Sequence, residues 1–366
     1  MWGVLAQVSA CSLGGVDGPA TDDPARGGDP IAALRRCVYL LDRELAPQPK
    51  VKAFQRAIDI VDELGTDAIA QRVHAGTLQQ LDGIGKSTGG VIEAAVRGEP
   101  SPYVADLEAR SVIELSLEAT PYRDALRGDC HLHSTWSDGG AGILAMAETA
   151  RDLGHEYMAL TDHSARLTIA HGLSQERLLE QLDEVEAVNE QVAPFRILTG
   201  MEVDILEDGS LDMSDELLGR LDLVVGSVHS KLRLDREAMT RRMVVAIANP
   251  HVDILGHCTN RKVVGRGRPP SDFDPEIVFA ACAKFDTAIE INCRPERLDP
   301  PDELLALAVE WECKVAIDTD AHAPGQLEWQ PYGCAKAAAC NVPIESIVNT
   351  WAADEQTAWA AGHDAR

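Results

Sequence analysis

Six short segments of this 366-residue chain supply histidine and carboxylate side chains at spacings suited to metal chemistry. They read His131-Leu-His133-Ser-Thr-Trp-Ser-Asp138, Thr161-Asp162-His163-Ser164, Gly200-Met-Glu202-Val-Asp204, Gly226-Ser-Val-His229-Ser, Gly256-His257-Cys-Thr and Asp318-Thr-Asp320-Ala-His322. Neutral imidazoles and carboxylates are the ligands of Zn²⁺, Mn²⁺ and Fe²⁺. In an extended His-x-His segment both side chains point to one face, so two imidazoles can grip neighbouring ions. Six of the eleven histidines fall in these segments. The other five (His74, His155, His171, His251 and His363) sit in helices, loops or at strand starts and read as structural.

Each segment follows a short apolar run that predicts a strand. One run leads into Cys130; the others are 157–160, 196–199, 221–225, 252–255 and 314–317, with a further run at 288–291. Helical stretches such as Gln175–Val192 and 236–248 lie between them. Strand and helix in alternation predict parallel β-structure with crossover helices, in a barrel or a doubly wound sheet. In a parallel barrel the C-terminal strand ends converge on one mouth, where the polar segments would meet.

Residues 30–110 read differently, as helices. Pro30 opens a run with apolar residues at helical spacing, and 51–64 repeats that pattern. Leu78-Gln-Gln-Leu-Asp-Gly-Ile-Gly-Lys-Ser-Thr-Gly-Gly predicts a short helix, a turn at Gly83-Ile84-Gly85 and a second helix. Residues 1–29, rich in Gly, Asp and Pro, read as a disordered leader. Residues 111–127 read as a linker and 351–366 as a C-terminal tail.

The chain carries 59 Asp and Glu against 33 Lys and Arg, a net charge of −26. That balance argues against a broad basic face for nucleic acid, while leaving room for a local basic patch or an acidic site neutralised by cations. Residues 111–366 hold −22 of it and residues 1–110 only −4. Nine cysteines without a C-x-x-C pair indicate reduced thiols and a cytoplasmic protein. No apolar run approaches the ~20 residues of a membrane span, and the first residues lack the basic start of a signal peptide.

The histidine and carboxylate pattern resembles the PHP family (polymerase and histidinol phosphatase) over residues 128–350. The resemblance implies a distorted seven-stranded (β/α) barrel preceded by a small all-α domain. It also implies a site for two to three divalent ions, Mn, Zn or Fe, held by His131, His133, Asp138, His163, Glu202, His229, His257, Asp320 and His322. Of these, His131, His133, Glu202 and Asp320 are the catalytic candidates. The wording of TDHSARLTIAHGLSQERL, GMEVDILEDGSLD, GSVHSK, EINCRPERLDP and DTDAHAPGQL is most similar to the PHP domain of bacterial family X DNA polymerases. Residues 30–110 resemble the helix-hairpin-helix DNA-binding domain of the same polymerases, with LDGIGKSTGGVI as the hairpin. Two departures matter. Only a short linker stands where those enzymes carry a palm and fingers, so polymerisation is not expected. Val91 occupies the position of a lyase lysine found in some relatives, and valine forms no Schiff base.

The chemistry implied is phosphoester hydrolysis, in which a metal-bound hydroxide attacks phosphorus and the ions stabilise the surrounding oxygens. The ions would also answer the acidity, by placing positive charge where the substrate phosphate sits. Arg261, Arg266 and Arg297, with Lys262, Arg268 and Arg294 beside them, read either as a phosphate clamp or as a solvated loop. Asp162, Asp204 and Asn292 read as orienters of ligands or as helix caps. Gly83 and Gly85 would let backbone N–H groups approach a DNA phosphate, with Lys86 adding a contact. The expected function is a DNA-processing phosphodiesterase, a 3′–5′ exonuclease acting on DNA ends. The alternative is a small-molecule phosphomonoesterase of the histidinol-phosphatase type with the hairpin as scaffold, and a non-catalytic DNA-binding module comes third.

Overall fold

The computed structural model describes residues 28–365. Residues 1–27 of the expected leader lie outside the described residues.

Seven parallel strands run in sequence order around a barrel: β1 (Gly128–Leu132), β2 (Tyr157–Leu160), β3 (Arg196–Asp204), β4 (Leu223–Ser227), β5 (Ile254–Leu255), β6 (Ala288–Asn292) and β7 (Val315–Asp318). Each is covered on both faces, which is why they read as short continuous apolar runs. The crossover helices include Ile143–Asp152, Gln175–Val192, Arg236–Ile247, Pro275–Phe285 and Asp302–Glu310. β3 is longer than its apolar run. Its first half pairs with β2, and from Gly200 onward it pairs with β4, so Glu202 and Asp204 stand on the strand itself. β5 is shorter than expected, because the chain leaves the ladder at Gly256 and turns at His257, whose φ is 22°.

Between β7 and β1 the barrel closes through side chains, which is its distortion. One backbone bridge, Leu132 to Ala321, is followed by a bond from His133 N to Ala321 O of 2.8 Å. Below it, Asp318 Oδ1 accepts from Cys130 N and Asn349 Nδ2, both at 2.8 Å. Asn349 Oδ1 in turn accepts from Ile317 N at 2.6 Å. All these groups are buried, so each bond satisfies a donor that a regular ladder would otherwise have paired.

The N-terminal helices are α1 (Pro30–Arg43), α2 (Gln48–Leu64), α3 (Thr66–His74), α4 (Lys86–Arg97) and α5 (Pro102–Arg110). Asp29 caps α1 by accepting from Ile31 N at 2.8 Å, and Pro30 occupies the first turn. Their apolar stripes meet in a core of their own through Leu34, Leu40, Phe54, Val61, Ile92 and Leu107. Val91 is fully buried there.

The segment 111–127 is no free tether. Helix α6 (Thr120–Ala125) lies on the barrel, with Ala119 and Leu126 packed against the β7 residues Val315 and Ile317. The Tyr122 hydroxyl donates to Val342 O at 2.9 Å. The tail likewise folds back. Trp351 and Trp359 of the C-terminal segment pack against Tyr157, Leu223 and Ala288 near the strand starts, and His363 Nδ1 lies 3.0 Å from Asp253 Oδ1. The end of the barrel opposite the polar segments is thereby covered. Among the described residues no helix is long and apolar enough to cross a membrane.

Candidate metal centre

Strand direction delivers the six segments to one mouth, and Glu202 stands at their centre. Its Oε1 lies 2.9 Å from His257 Nε2 and 3.1 Å from His229 Nε2. Its Oε2 lies 2.7 Å from His163 Nδ1, 3.3 Å from His131 Nε2 and 3.7 Å from His133 Nε2. Asp320 Oδ1 is 3.3 Å from His133 Nε2. Asp138 Oδ1 sits 3.5 Å from His163 Nε2 and 3.4 Å from His322 Nε2. The nine residues carried over from the resemblance therefore form a single cluster.

One carboxylate cannot satisfy five imidazoles by hydrogen bonding. Three of the ring nitrogens that face Glu202 (His131 Nε2, His133 Nε2 and His163 Nδ1) are buried without a hydrogen-bond partner. Such orphans are costly unless something else pairs with them. A divalent ion is the partner that suits converging imidazoles and carboxylates. Three overlapping sets have ligand atoms within 4.8 Å of one another: His133, Asp138, His163 and His322; His131, His133 and Glu202; His163, Glu202 and His229. The side chains present fit the metal that the sequence pattern calls for.

The electrostatics agree with a cation site. Burial pushes Glu202 upward, but His229, His163 and His131 outweigh it and hold the carboxyl well below its usual range. Burial and the neighbouring His322 and His163 keep His133 neutral to well below the ordinary imidazole value. His229 goes the other way: the Glu202 and Asp204 carboxylates overcome its burial and lift it to about 9.

Behind the cluster stands a layer of orienting groups. Asp204 Oδ1 accepts from His229 N at 3.1 Å and lies 3.4 Å from its Nδ1. Asn292 Nδ2 donates to Asp320 Oδ2 at 3.0 Å. Asp162 holds a loop instead. It accepts from Ser134 N at 2.8 Å, Ser134 Oγ at 2.6 Å, Ser137 N at 3.2 Å and Gln181 Nε2 at 2.6 Å, and so anchors the loop between His133 and Asp138. Glu290 escaped the sequence reading. Its Oε1 lies 2.6 Å from His131 Nδ1, and its Oε2 accepts from His257 N. The signal was available: an acidic residue between two isoleucines in a fully buried strand needs a buried partner. His257 and Asp320 also hold left-handed backbone angles, φ 22° and 51°, a cost that recurs at functional sites.

The basic residues divide. Arg297 Nε and Arg294 Nη1 each lie 3.7 Å from an Asp320 carboxylate oxygen, at the edge of the cluster. Arg261 does not face it: its guanidinium donates to the carbonyl oxygens of Arg297, at 3.0 Å, and Leu298. These two bonds brace the loop. Lys262 and Arg268 exchange backbone bonds of 2.9 and 2.8 Å in a small hairpin, and Arg266 is exposed at its tip. The second glycine motif lies apart, in the helical unit. Gly83 has φ 95°, and a Cβ there would collide with the Arg56 side chain. Gly85 precedes α4 and donates to Thr88 Oγ1 at 2.9 Å, and Lys86 is exposed in the first turn.

The family model described as PHP domain matches residues 129–275. The DNA polymerase/3′-5′ exonuclease PolX of Bacillus subtilis (strain 168) is 44% identical over 197 residues, 54% of this chain and 34% of that protein, so the chain spans about a third of that relative. A protein of Thermoanaerobacter sp. (strain X514) named "Probable phosphatase" is 30% identical over 208 residues, 53% of this chain and 78% of that protein. A solved histidinol phosphate phosphatase of Lactococcus lactis subsp. lactis, in complex with zinc, L-histidinol and phosphate, aligns with 18% identity over 58% of this chain and 92% of that one, at a TM-score of 0.40. With residues 129–275 matched by the family model and most of a 30% identical phosphatase covered, the chain belongs to the PHP domain family.

Proposed function

We propose that this phosphoesterase holds two to three divalent ions and trims DNA ends as a 3′–5′ exonuclease in the cytoplasm. The observation that carries the metal reading is the convergence of five histidines on Glu202, with three of the ring nitrogens facing it buried and unpaired. When bound, the ions would supply positive charge to the phosphoester and generate a nucleophile at neutral pH. The ligands would be His131, His133, Asp138, His163, Glu202, His229, His257, Asp320 and His322. The protein's own part is to present them pre-oriented through Glu290, Asp204 and Asn292, and to offer the Arg297 guanidinium to a substrate oxygen.

The DNA reading rests on two supports. The 44% identical relative carries 3′-5′ exonuclease in its name, and the turn at Gly83 and Gly85 leads into α4, where backbone N–H groups and Lys86 suit a phosphate. In this reading residues 30–110 bind DNA and residues 128–350 hydrolyse it. The cytoplasmic assignment is supported by the eight described cysteines, all free. A second reading, a phosphomonoesterase of the histidinol-phosphatase type, is favoured by the net charge of −26 and by the phosphatase relative of which 78% is covered.

The test compares the Mn²⁺-loaded protein on a 5′-labelled single-stranded oligonucleotide and on histidinol phosphate, with a His131→Ala control. Stepwise shortening that the control lacks supports the exonuclease. Phosphate release from the monoester alone supports the second reading. Turnover undiminished in the control after metal depletion would sink both.

A further inference from the structure

The helical unit is clasped to one part of the barrel, the turn Pro324–Trp329 that follows Asp320 and His322. Two side chains of α1 share a carboxylate there: the Tyr39 hydroxyl donates to Glu328 Oε1 at 2.5 Å and Arg43 Nη1 to Glu328 Oε2 at 2.6 Å. Gly325 packs directly on the Tyr39 carbonyl, leaving no room for a Cβ. The indole Nε1 of Trp329 donates to Arg43 O at 2.9 Å, satisfying a carbonyl at the end of α1.

Trp329 is fully buried, and its ring carries the Arg294 guanidinium, with Cζ 5.3 Å from the centroid. Arg294 in turn donates from Nη1 to Asp320 O at 2.7 Å, and the same nitrogen lies 2.9 Å from His322 Nδ1. The path from α1 to two members of the metal cluster is thus continuous: Arg43, Trp329, Arg294, then Asp320 and His322. Its middle member is a flat aromatic face under a planar cation, an arrangement that fixes the guanidinium in orientation as well as position. Asp320 needs such a hold, because its backbone sits at φ 51°.

We propose that Trp329 is a positioning residue, which transmits the docking of α1 through Arg294 to the Asp320–His322 end of the metal cluster. This rests on the cluster being a metal site. On this account the helical unit is part of what shapes the site, in addition to anything it binds.

The experiment measures Mn²⁺ bound per chain and its affinity by equilibrium dialysis on the full-length protein, with kcat and KM alongside. Three variants are compared. Trp329→Leu removes the ring beneath Arg294, Trp329→Phe keeps a ring but drops the bond to Arg43, and Gly325→Ala pushes α1 off the turn without touching a cluster residue. Trp329→Leu is expected to weaken the last ion at least tenfold and to lower kcat with KM within about twofold, consistent with the effect of losing a group that orients ligands. Trp329→Phe, with the ring but without the bond to Arg43, should fall between Trp329→Leu and the wild type, wild-type affinity there overturning the link through Arg43, and Gly325→Ala should weaken the same ion. Wild-type affinity in Trp329→Leu, or no rescue by Trp329→Phe, would overturn the role of the ring. Wild-type affinity in Gly325→Ala would overturn the link to α1 and holds even if the Leu variant does not fold. A wild-type protein that binds no Mn²⁺ would remove the metal reading itself, a result distinct from either.

Discussion

Glu290 and His131 meet 2.6 Å apart at the base of the metal cluster, both fully buried. A carboxylate oxygen accepts, so the contact places a hydrogen on His131 Nδ1, and Nε2, 3.3 Å from Glu202 Oε2, is the nitrogen left to meet an ion. The other Glu290 oxygen accepts from His257 N, so one side chain orders two members of the cluster. Glutamine cannot do both. Its amide would present a donor either to His131 Nδ1 or to His257 N, each already a donor. Glu290→Gln should therefore weaken metal binding by roughly 10–100-fold, the usual cost of losing a group that orients a ligating histidine. Equilibrium dialysis with Mn²⁺ checks this, and unchanged affinity would show that the contact is incidental.

What could be read from the chain was whatever repeats along it. Alternating apolar runs and helical stretches announced seven parallel strands, and the histidines after those strands announced where they point. Glu202 was legible as a polar residue after an apolar run, yet its central place was not. That place depends on its contacts with histidines from four other segments, which no local pattern encodes. Glu290, Trp329 and Asn349 were missed for a related reason. Each acts on a residue at least 32 positions away, on His131, Arg294 and Ile317 among others. Arg261 shows the converse: a basic residue near the site in sequence, whose donors are used by carbonyls of its neighbouring loop.

Acid should destabilise the fold through His155, away from the metal cluster. Its ring is buried and neither nitrogen has a hydrogen-bond partner. Burial, with a smaller contribution from Arg123, pushes it down to about 3. In the unfolded chain the same ring takes up a proton near pH 6.5. The unfolded state therefore binds more protons below pH 6.5, and stability is lost as pH falls from there toward 3. Each unit costs about 1.4 kcal/mol. Replacing His155 by Leu should make the loss between pH 7 and pH 5 smaller by roughly 2 kcal/mol. Urea unfolding of both proteins at the two pH values measures the difference, and equal losses would refute it.

Asp162 controls the Asp138 side of the cluster at one remove. Its two oxygens collect the donors of Ser134, Ser137 and Gln181, all buried. Asp162→Ala leaves those donors without an acceptor, at a cost of about 3 kcal/mol in folding stability. It also frees the loop that presents Asp138 to His163 and His322. Urea unfolding should register the first effect, and fewer Mn²⁺ ions bound per chain the second. Full metal content in a destabilised variant would confine Asp162 to the fold.

Substitution of Gly83 is a poor probe of DNA binding, because a Cβ at φ 95° would strike Arg56 and disturb the turn itself. Lys86 is cleaner: it is exposed in the first turn of α4, where its ammonium extends the array of free backbone N–H groups. A lysine paired with a phosphate releases about one counterion on binding, so its loss weakens affinity and makes it less dependent on salt. Lys86→Gln should raise the Kd for a short oligonucleotide several-fold and reduce the slope of log K against log salt by about 1. Fluorescence anisotropy across a salt series reads both quantities. If neither moves, the hairpin lies off the DNA path, and the acidic charge of the chain favours a small phosphoester as its substrate.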